Sequence, residues 1–208
     1  MRLVGKPVKG TTPLMLAVIQ GHYSVALWLL REFGADVNAQ DFESRSALHH
    51  ACLVGRPRIA RLLLRKGALV EARDRGGRTP LFASVTGHPI TLRLLHRFGA
   101  NPAATDADDW TPLHFATDRG HTSSVACLLE MGAPVEAEEK KWKARPLHLA
   151  CDKGHFPCVR LLVNAGADVN ARTANGKTPF LIAAQLNHVE ILRLLAHSGA
   201  DISLPNGE

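Results

Sequence analysis

One eleven-residue word constrains this chain more than anything else in it. "TPLHFATDRGH" begins at Thr111, and close relatives begin at Thr12, Ser46, Thr79, Arg145 and Thr178. Successive words start 34, 33, 32, 34 and 33 residues apart. Each is followed by an apolar stretch that closes on a glycine, as in "LLREFGADVN", "LLRKGALVEA" and "LLVNAGADVN". Self-similarity at a fixed period of this length means stacked supersecondary units rather than one closed core.

The chemistry of the word explains its parts. Thr111 is a good helix N-cap, and Pro112 falls at the first helical position, where its missing N–H costs nothing. Leu113 and Ala116 lie three apart on one helical face. Gly120 ends the short helix, and a second helix turns Val125, Leu128 and Leu129 inward before Gly132 ends it. The segment after Gly132 has turn and extended character and is expected to form a hairpin finger leading into the next unit. Two such short helices cannot hide their apolar faces alone; neighbouring copies hide them.

The word and its period resemble the ankyrin repeat family over nearly the whole chain. The implied fold is an all-α ankyrin-repeat solenoid of helix-turn-helix units with β-hairpin fingers. The repeats run approximately 12–44, 45–77, 78–110, 111–144, 145–177 and 178–208 in a single domain, 1–208. Three copies depart from the pattern. The first gains a residue in its second helix near Trp28, the third loses one from its first helix, and "EEKKWKA" makes the fourth finger one longer. One residue turns a helix by about 100°, so the first two changes must be absorbed at helix ends.

The same frame accounts for residues that otherwise look chemical. His49, His114 and His148 hold the fourth position of the word, and His22, His88, His121, His155 and His188 follow its closing Gly or Asn187. The resemblance implies that such histidines hydrogen-bond between neighbouring loops. A metal needs ligands converging on a point, and a column of histidines one repeat apart does not converge. No metal and no cofactor is expected. The four cysteines form no C-x-x-C pair and stand where the family carries small residues, which suits core packing and a reducing compartment. Cys151 and Cys158 could approach each other across a helix pair. No P-loop, nucleophile elbow or zinc-protease word is present, so a non-enzymatic chain is expected. No apolar run approaches the length of a membrane span.

The net charge of +6 is local: Arg45 to Gly77 holds eight basic and two acidic residues, and the rest of the chain is balanced. Arg61, Arg93, Arg160 and Arg193 share one position in four repeats, and repeat two adds Arg58, Arg65 and Lys66. This patch could meet an acidic partner or a phosphate backbone. Repeat two lacks the aromatics that stack bases, so a nucleic-acid partner is not expected.

The resemblance implies a protein or peptide ligand held on a concave face of finger tips and first helices. Carried over position by position, that face comprises Ile19, Phe42, Leu53, Val54, Arg75, Trp110, Asp118, Arg119, Trp142, Asp152 and Lys153, with Val85 and Thr86 from the shortened repeat. Trp110 could equally pack on its own repeat. The second reading is the substrate-recognition portion of a ubiquitin-ligase adaptor, a role that similar arrays play when followed by a cullin-binding box. Asn38 and Asn170, each in D-V-N with Leu eight residues before, resemble the asparagines that cytosolic hydroxylases modify. Both end repeats are as apolar as interior ones, which leads to an expectation of end-to-end self-association or of a longer parent array. The cytoplasm, the nucleus or both is the expected location.

Overall fold

The computed structural model describes residues 9–203, and what was expected of 1–8 and 204–208 lies outside them. Twelve helices alternate along the described chain: α1 (Pro13–Gln20), α2 (Tyr23–Glu32), α3 (Ala47–Leu53), α4 (Pro57–Arg65), α5 (Pro80–Ser84), α6 (Pro89–Arg97), α7 (Pro112–Asp118), α8 (Thr122–Glu130), α9 (Pro146–Asp152), α10 (Phe156–Asn164), α11 (Pro179–Gln185) and α12 (Val189–His197). They form two compact units, Met1–Ala107 and Asp108–Glu208. In the first, α3 packs between α1 and α5 while α4 packs between α2 and α6. In the second, α9 packs between α7 and α11, and α10 between α8 and α12. Each unit is thus two layers, one of first helices and one of second helices. Leu14, Leu48 and Leu81 are fully buried in the first unit and Leu113, Leu128, Leu147 and Leu162 in the second. Among the described residues no helix is long and apolar enough to cross a membrane.

The length changes read from the sequence fall in the expected helices, although α5 is shortened by two residues where the spacing gives one. The second helix of repeat one has 10 residues against 9 in its counterparts, and α5 has 5 residues where α3 and α7 have 7.

The fingers depart from the expected hairpins. Among the described residues the only β pairing is the isolated bridge Gln40 to Ser46, not a strand. Four fingers are instead tight turns closed by one backbone bond: Asp41 N to Arg45 O at 3.0 Å, Asp74 N to Arg78 O at 2.9 Å, Glu139 N to Ala144 O at 3.1 Å and Thr173 N to Lys177 O at 3.0 Å. A side-chain oxygen fills the turn, a carboxylate at Asp41, Asp74 and Glu139 and a hydroxyl at Thr173, because so short a loop leaves N–H groups that no strand partner can take. Asp74 Oδ1 accepts from Gly76 N and Arg78 N, both at 2.9 Å. In the lengthened fourth finger, Glu139 replaces aspartate, and its extra methylene reaches Lys141 N at 2.8 Å, Ala144 N at 3.2 Å and Trp142 N. Successive tips are joined by single backbone bonds: Arg75 N to Glu43 O at 2.9 Å in the first unit, and Lys140 N to Asp108 O at 3.0 Å and Ala174 N to Trp142 O at 2.7 Å in the second.

Two residues before each word the finger turns left-handed. Glycine holds that conformation at Gly77 and Gly176, but Ser44, Asp109 and Lys143 hold it with a side chain, at φ 57°, 60° and 54°. Lys143→Gly should therefore raise stability by about 0.5–1 kcal/mol, read from the urea midpoint, because left-handed backbone costs a residue with a Cβ about that much or more.

Candidate functional site

The histidine column is a device for joining repeats. His49 Nδ1 accepts from Ser46 N at 3.1 Å, which places the ring proton on Nε2, and Nε2 donates to Arg78 O at 3.1 Å. His114 repeats the arrangement with Thr111 N (3.1 Å) and Ala144 O (3.2 Å), and His148 with Arg145 N (3.1 Å) and Ala171 O (3.0 Å). Each neutral ring caps its own helix and holds the carbonyl of the following finger. Burial holds the imidazoles of His49 and His148 below the ordinary histidine range, against the pull of those carbonyl bonds. The histidines after the closing glycines do related work: His88, His155 and His188 lay their rings on Gly55, Gly120 and Gly154, and His155 Nε2 also reaches Asp118 O at 3.2 Å.

His50 is a site residue that the sequence reading passed over. It stands where other copies carry Leu16, Ala83, Phe115, Leu149 or Ile182, so a polar residue at an apolar position was the available signal. Its Nε2 donates to Asp41 Oδ2 at 3.0 Å, and Arg45 Nε does so at 3.2 Å. Asp41 Oδ1 takes Glu43 N and Arg45 N, both at 2.9 Å. Burial opposes ionisation of Asp41, yet the Arg45 and Glu43 amides, the His50 ring and the Arg45 charge outweigh it and hold the carboxyl below its usual range. Burial likewise dominates at His50 and lowers it despite the carboxylate.

These shifts share one sign. The unfolded chain protonates its histidines near pH 6.5, whereas folded His49, His50 and His148 resist protonation until lower pH. Stability is flat above that value and falls as pH drops below it, because the unfolded state then binds more protons. Urea midpoints should be level from pH 8 to pH 7 and decline steadily from about pH 6.5 to pH 5. A midpoint unchanged at pH 5 would remove the neutral-ring account.

The proposed face has a different character in each unit. In the first, Phe42 is 63% exposed and Leu53 42% exposed. Val54 is half-buried and Arg75 exposed beside Glu43 at 3.9 Å. Ile19, expected on this face, is only 5% exposed and leaves it. It lies in the last turn of α1 among Leu14, Met15, Ala17 and Val18, and a hydrocarbon at a boundary position turns inward. Val85 is buried for the same reason, whereas Thr86 is exposed.

In the second unit the charges answer one another. Arg119 Nε lies 3.5 Å from Asp118, and Lys153 Nζ lies 4.0 Å from Asp118 and 2.9 Å from Asp152. The Asp152 bond and charge raise Lys153, so that group is firmly cationic. Trp110 is half-buried, edge-on to Phe115 at 5.1 Å and tilted against His114 at 5.8 Å, so much of its ring is committed to its own repeat. Trp142 is different. Its N–H is held by Glu139 and its carbonyl by Ala174 N, while the side chain remains 48% exposed with Lys141 Nζ 4.8 Å above the ring.

Asn38 and Asn170 both bridge repeats through their carboxamides. Asn38 Nδ2 donates to Gly67 O at 3.1 Å and its Oδ1 accepts from Leu69 N at 2.9 Å. Asn170 does the same with Gly199 O (3.1 Å) and Asp201 N (2.8 Å). The cysteines are free and buried. Burial pushes the thiols of Cys52, Cys151 and Cys158 up, which leaves them unreactive. Cys158 Sγ faces Thr122 Oγ1 at 3.8 Å, not a second thiol. Among the described residues no three His, Cys, Asp or Glu side chains gather as metal ligands.

Comparison with known proteins follows the same lines. The profile described as "Ankyrin repeats (3 copies)" matches residues 33–106, 48–139, 86–173 and 132–206, and that described as "Ankyrin repeat" matches 9–42. The ankyrin repeat domain of Bcl-3, a member of the IkappaB family, superposes with a TM-score of 0.86 at 32% identity, covering 95% of this chain and 90% of that one. The human ASB11 ankyrin repeat domain gives 0.84 at 31% identity, covering 95% and 88%. Among curated sequences, mouse ankyrin repeat and SOCS box protein 16 is 46% identical over 129 residues, which are 61% of this chain and 28% of that protein. The zebrafish (Danio rerio) putative palmitoyltransferase ZDHHC13 is 34% identical over 131 residues, 62% of this chain and 20% of that one. The chain thus spans less than a third of the length of these two curated relatives.

Proposed function

The chain belongs to the ankyrin repeat family, and from that premise we propose that it is a non-enzymatic scaffold whose finger tips and first helices hold a partner protein or peptide. The observation that carries this reading is Trp142. Its backbone is tied on both sides, by Glu139 and by Ala174, while the indole faces solvent. An aromatic side chain on a backbone already held in place loses less entropy on binding, which is what an interface anchor requires. Phe42 plays the matching part in the first unit, its N–H bonded to Lys9 O at 3.1 Å and its ring exposed. Asp118, Arg119, Asp152 and Lys153 set specificity, since their mutual pairing must be exchanged for contacts of equal quality. Proximity labelling with wild type, Trp142→Ala and Phe42→Ala tests this. Loss of the same proteins from both variants, at unchanged melting temperature, supports the reading; identical labelling in all three ends it.

The second reading is the substrate-recognition portion of a ubiquitin-ligase adaptor. It is favoured by the 46% identity to a protein whose name pairs ankyrin repeats with a SOCS box. Co-precipitation of elongin and cullin with the full-length product is its test. Buried free thiols fit a cytoplasmic or nuclear location, which imaging of a fluorescent fusion checks. Hydroxylation of Asn38 and Asn170 would leave their bridging amides in place, and intact-mass analysis would show each added oxygen. The exposed Leu16, Val25, Trp28 and Phe33 in repeat one, and Leu186, Val189 and Ile202 in repeat six, fit further repeats or self-association. Light scattering at rising concentration decides the latter.

A further inference from the structure

On the outer surface of the first unit, α4 and α6 carry basic residues and no acid, while α2 ends in Arg31 and Glu32. No Asp or Glu occurs from Val54 to Val70 or from Val85 to Thr105. The acids of this unit sit instead mainly in its fingers, as Asp41, Glu43, Asp74 and Asp106 do. Arg58, Arg61 and Arg65 lie three and four residues apart on α4, which places them in one row on its exposed face, with Ile59, Leu62 and Leu63 buried behind them. Among the described residues none of these three arginines, nor Lys66, enters an ion pair. α6 continues the cationic surface with Arg97.

The row borders two hollows. One, of about 330 Å³, is lined by Tyr23, Arg56, Pro57 and Arg58 among others. The other, of about 300 Å³, is lined by Tyr23, Pro57, Arg58, Arg61 and Ile90. Ile90 is 69% exposed, and α2, α4 and α6 each contribute a wall. Apolar walls thus stand directly beside guanidinium groups.

The start of this row does not help its own helix. Arg58 stands in the first turn of α4, where the helix dipole favours an acid, and that turn has none. Like charges at helical neighbour spacing also repel. Arg65, in the last turn, suits the dipole, so the unfavourable end of the row is Arg58, and an anionic ligand gives that residue a use.

We propose that the α4 row, with the Tyr23–Ile90 hollow, docks an acidic peptide segment of a partner protein that carries one apolar residue among its carboxylates. Guanidinium forks take carboxylates in bidentate geometry, and the hollow takes the apolar side chain. A base would find a single exposed ring, Tyr23, which Arg58 faces at 5.9 Å, and α4 offers no second aromatic to continue a stack. A bilayer presents no protruding side chain to fill a hollow. This surface is separate from the finger-tip face and does not depend on it.

The test uses fluorescence anisotropy with a labelled twelve-residue glutamate peptide bearing one central leucine. The comparison probes are the same peptide with serine for leucine, phosphatidylserine vesicles and oligothymidylate. Arg58→Glu/Arg61→Glu/Arg65→Glu should weaken peptide binding by at least about tenfold, with an unchanged circular dichroism spectrum showing that the variant is folded. Ile90→Ser should weaken it by a few-fold. Binding untouched by the triple reversal, indifference to the leucine, or tighter binding of vesicles or oligothymidylate would each overturn the proposal.

Discussion

His148→Ala should cost about 2–4 kcal/mol in equilibrium unfolding. The ring is buried, and its two nitrogens serve the Arg145 N–H at 3.1 Å and the Ala171 carbonyl at 3.0 Å. Truncation leaves both backbone groups without their partner in a place where each unmet bond costs about 1–3 kcal/mol, and it opens a cavity besides. No single substitution repairs both, since the ring spans from a helix cap to the next finger. His197→Ala is the control. That residue is exposed, bonded only within α12, and should shift stability by no more than about 0.5 kcal/mol. Urea unfolding followed by circular dichroism measures both. A loss below about 1 kcal/mol for His148→Ala would mean that water replaces the ring and that the column is not what couples repeats.

Gly55→Ala is the second large effect, about 2–3 kcal/mol. Two costs combine there. The backbone sits at φ +64°, where a Cβ costs about 1 kcal/mol or more. That Cβ would also lie 2.4 Å from the His88 ring, which must then move. Gly67→Ala separates the two, because its φ is +86° with nothing within 4 Å of the added carbon, so only the backbone cost of about 1 kcal/mol remains. His88→Ala in the Gly55→Ala background should recover most of the difference. Additive losses in that cycle would show that the ring does not bear on Gly55.

Much of this was legible in advance. A word recurring near every 33 residues announced paired helices, their caps and their ends, because those features depend on local chemistry: Thr before Pro, glycine at a left-handed close. The additional residue of α2 and the shortened α5 could be counted from the spacings alone. The fingers were less legible. Their turn and extended composition suits a hairpin, but the loops are so short that a carboxylate, at Asp41, Asp74 or Glu139, takes the amides a strand would have paired. Ile19 was misplaced because the same register position holds Leu53 and Asp118. Register says where a residue stands, while burial depends on what its side chain gains by turning inward.

The sequence by itself therefore determined the architecture, since each repeat caps its own helices but can bury its apolar stripes only by stacking on a copy of itself. Tertiary structure alone decided which side chains remain to meet a partner. Trp110 and Trp142 look alike as letters in two fingers, yet one turns toward Phe115 and the other stays in solvent because Glu139 and Ala174 hold its backbone. The Ala174 bond comes from the following repeat, and no pattern within one repeat encodes it.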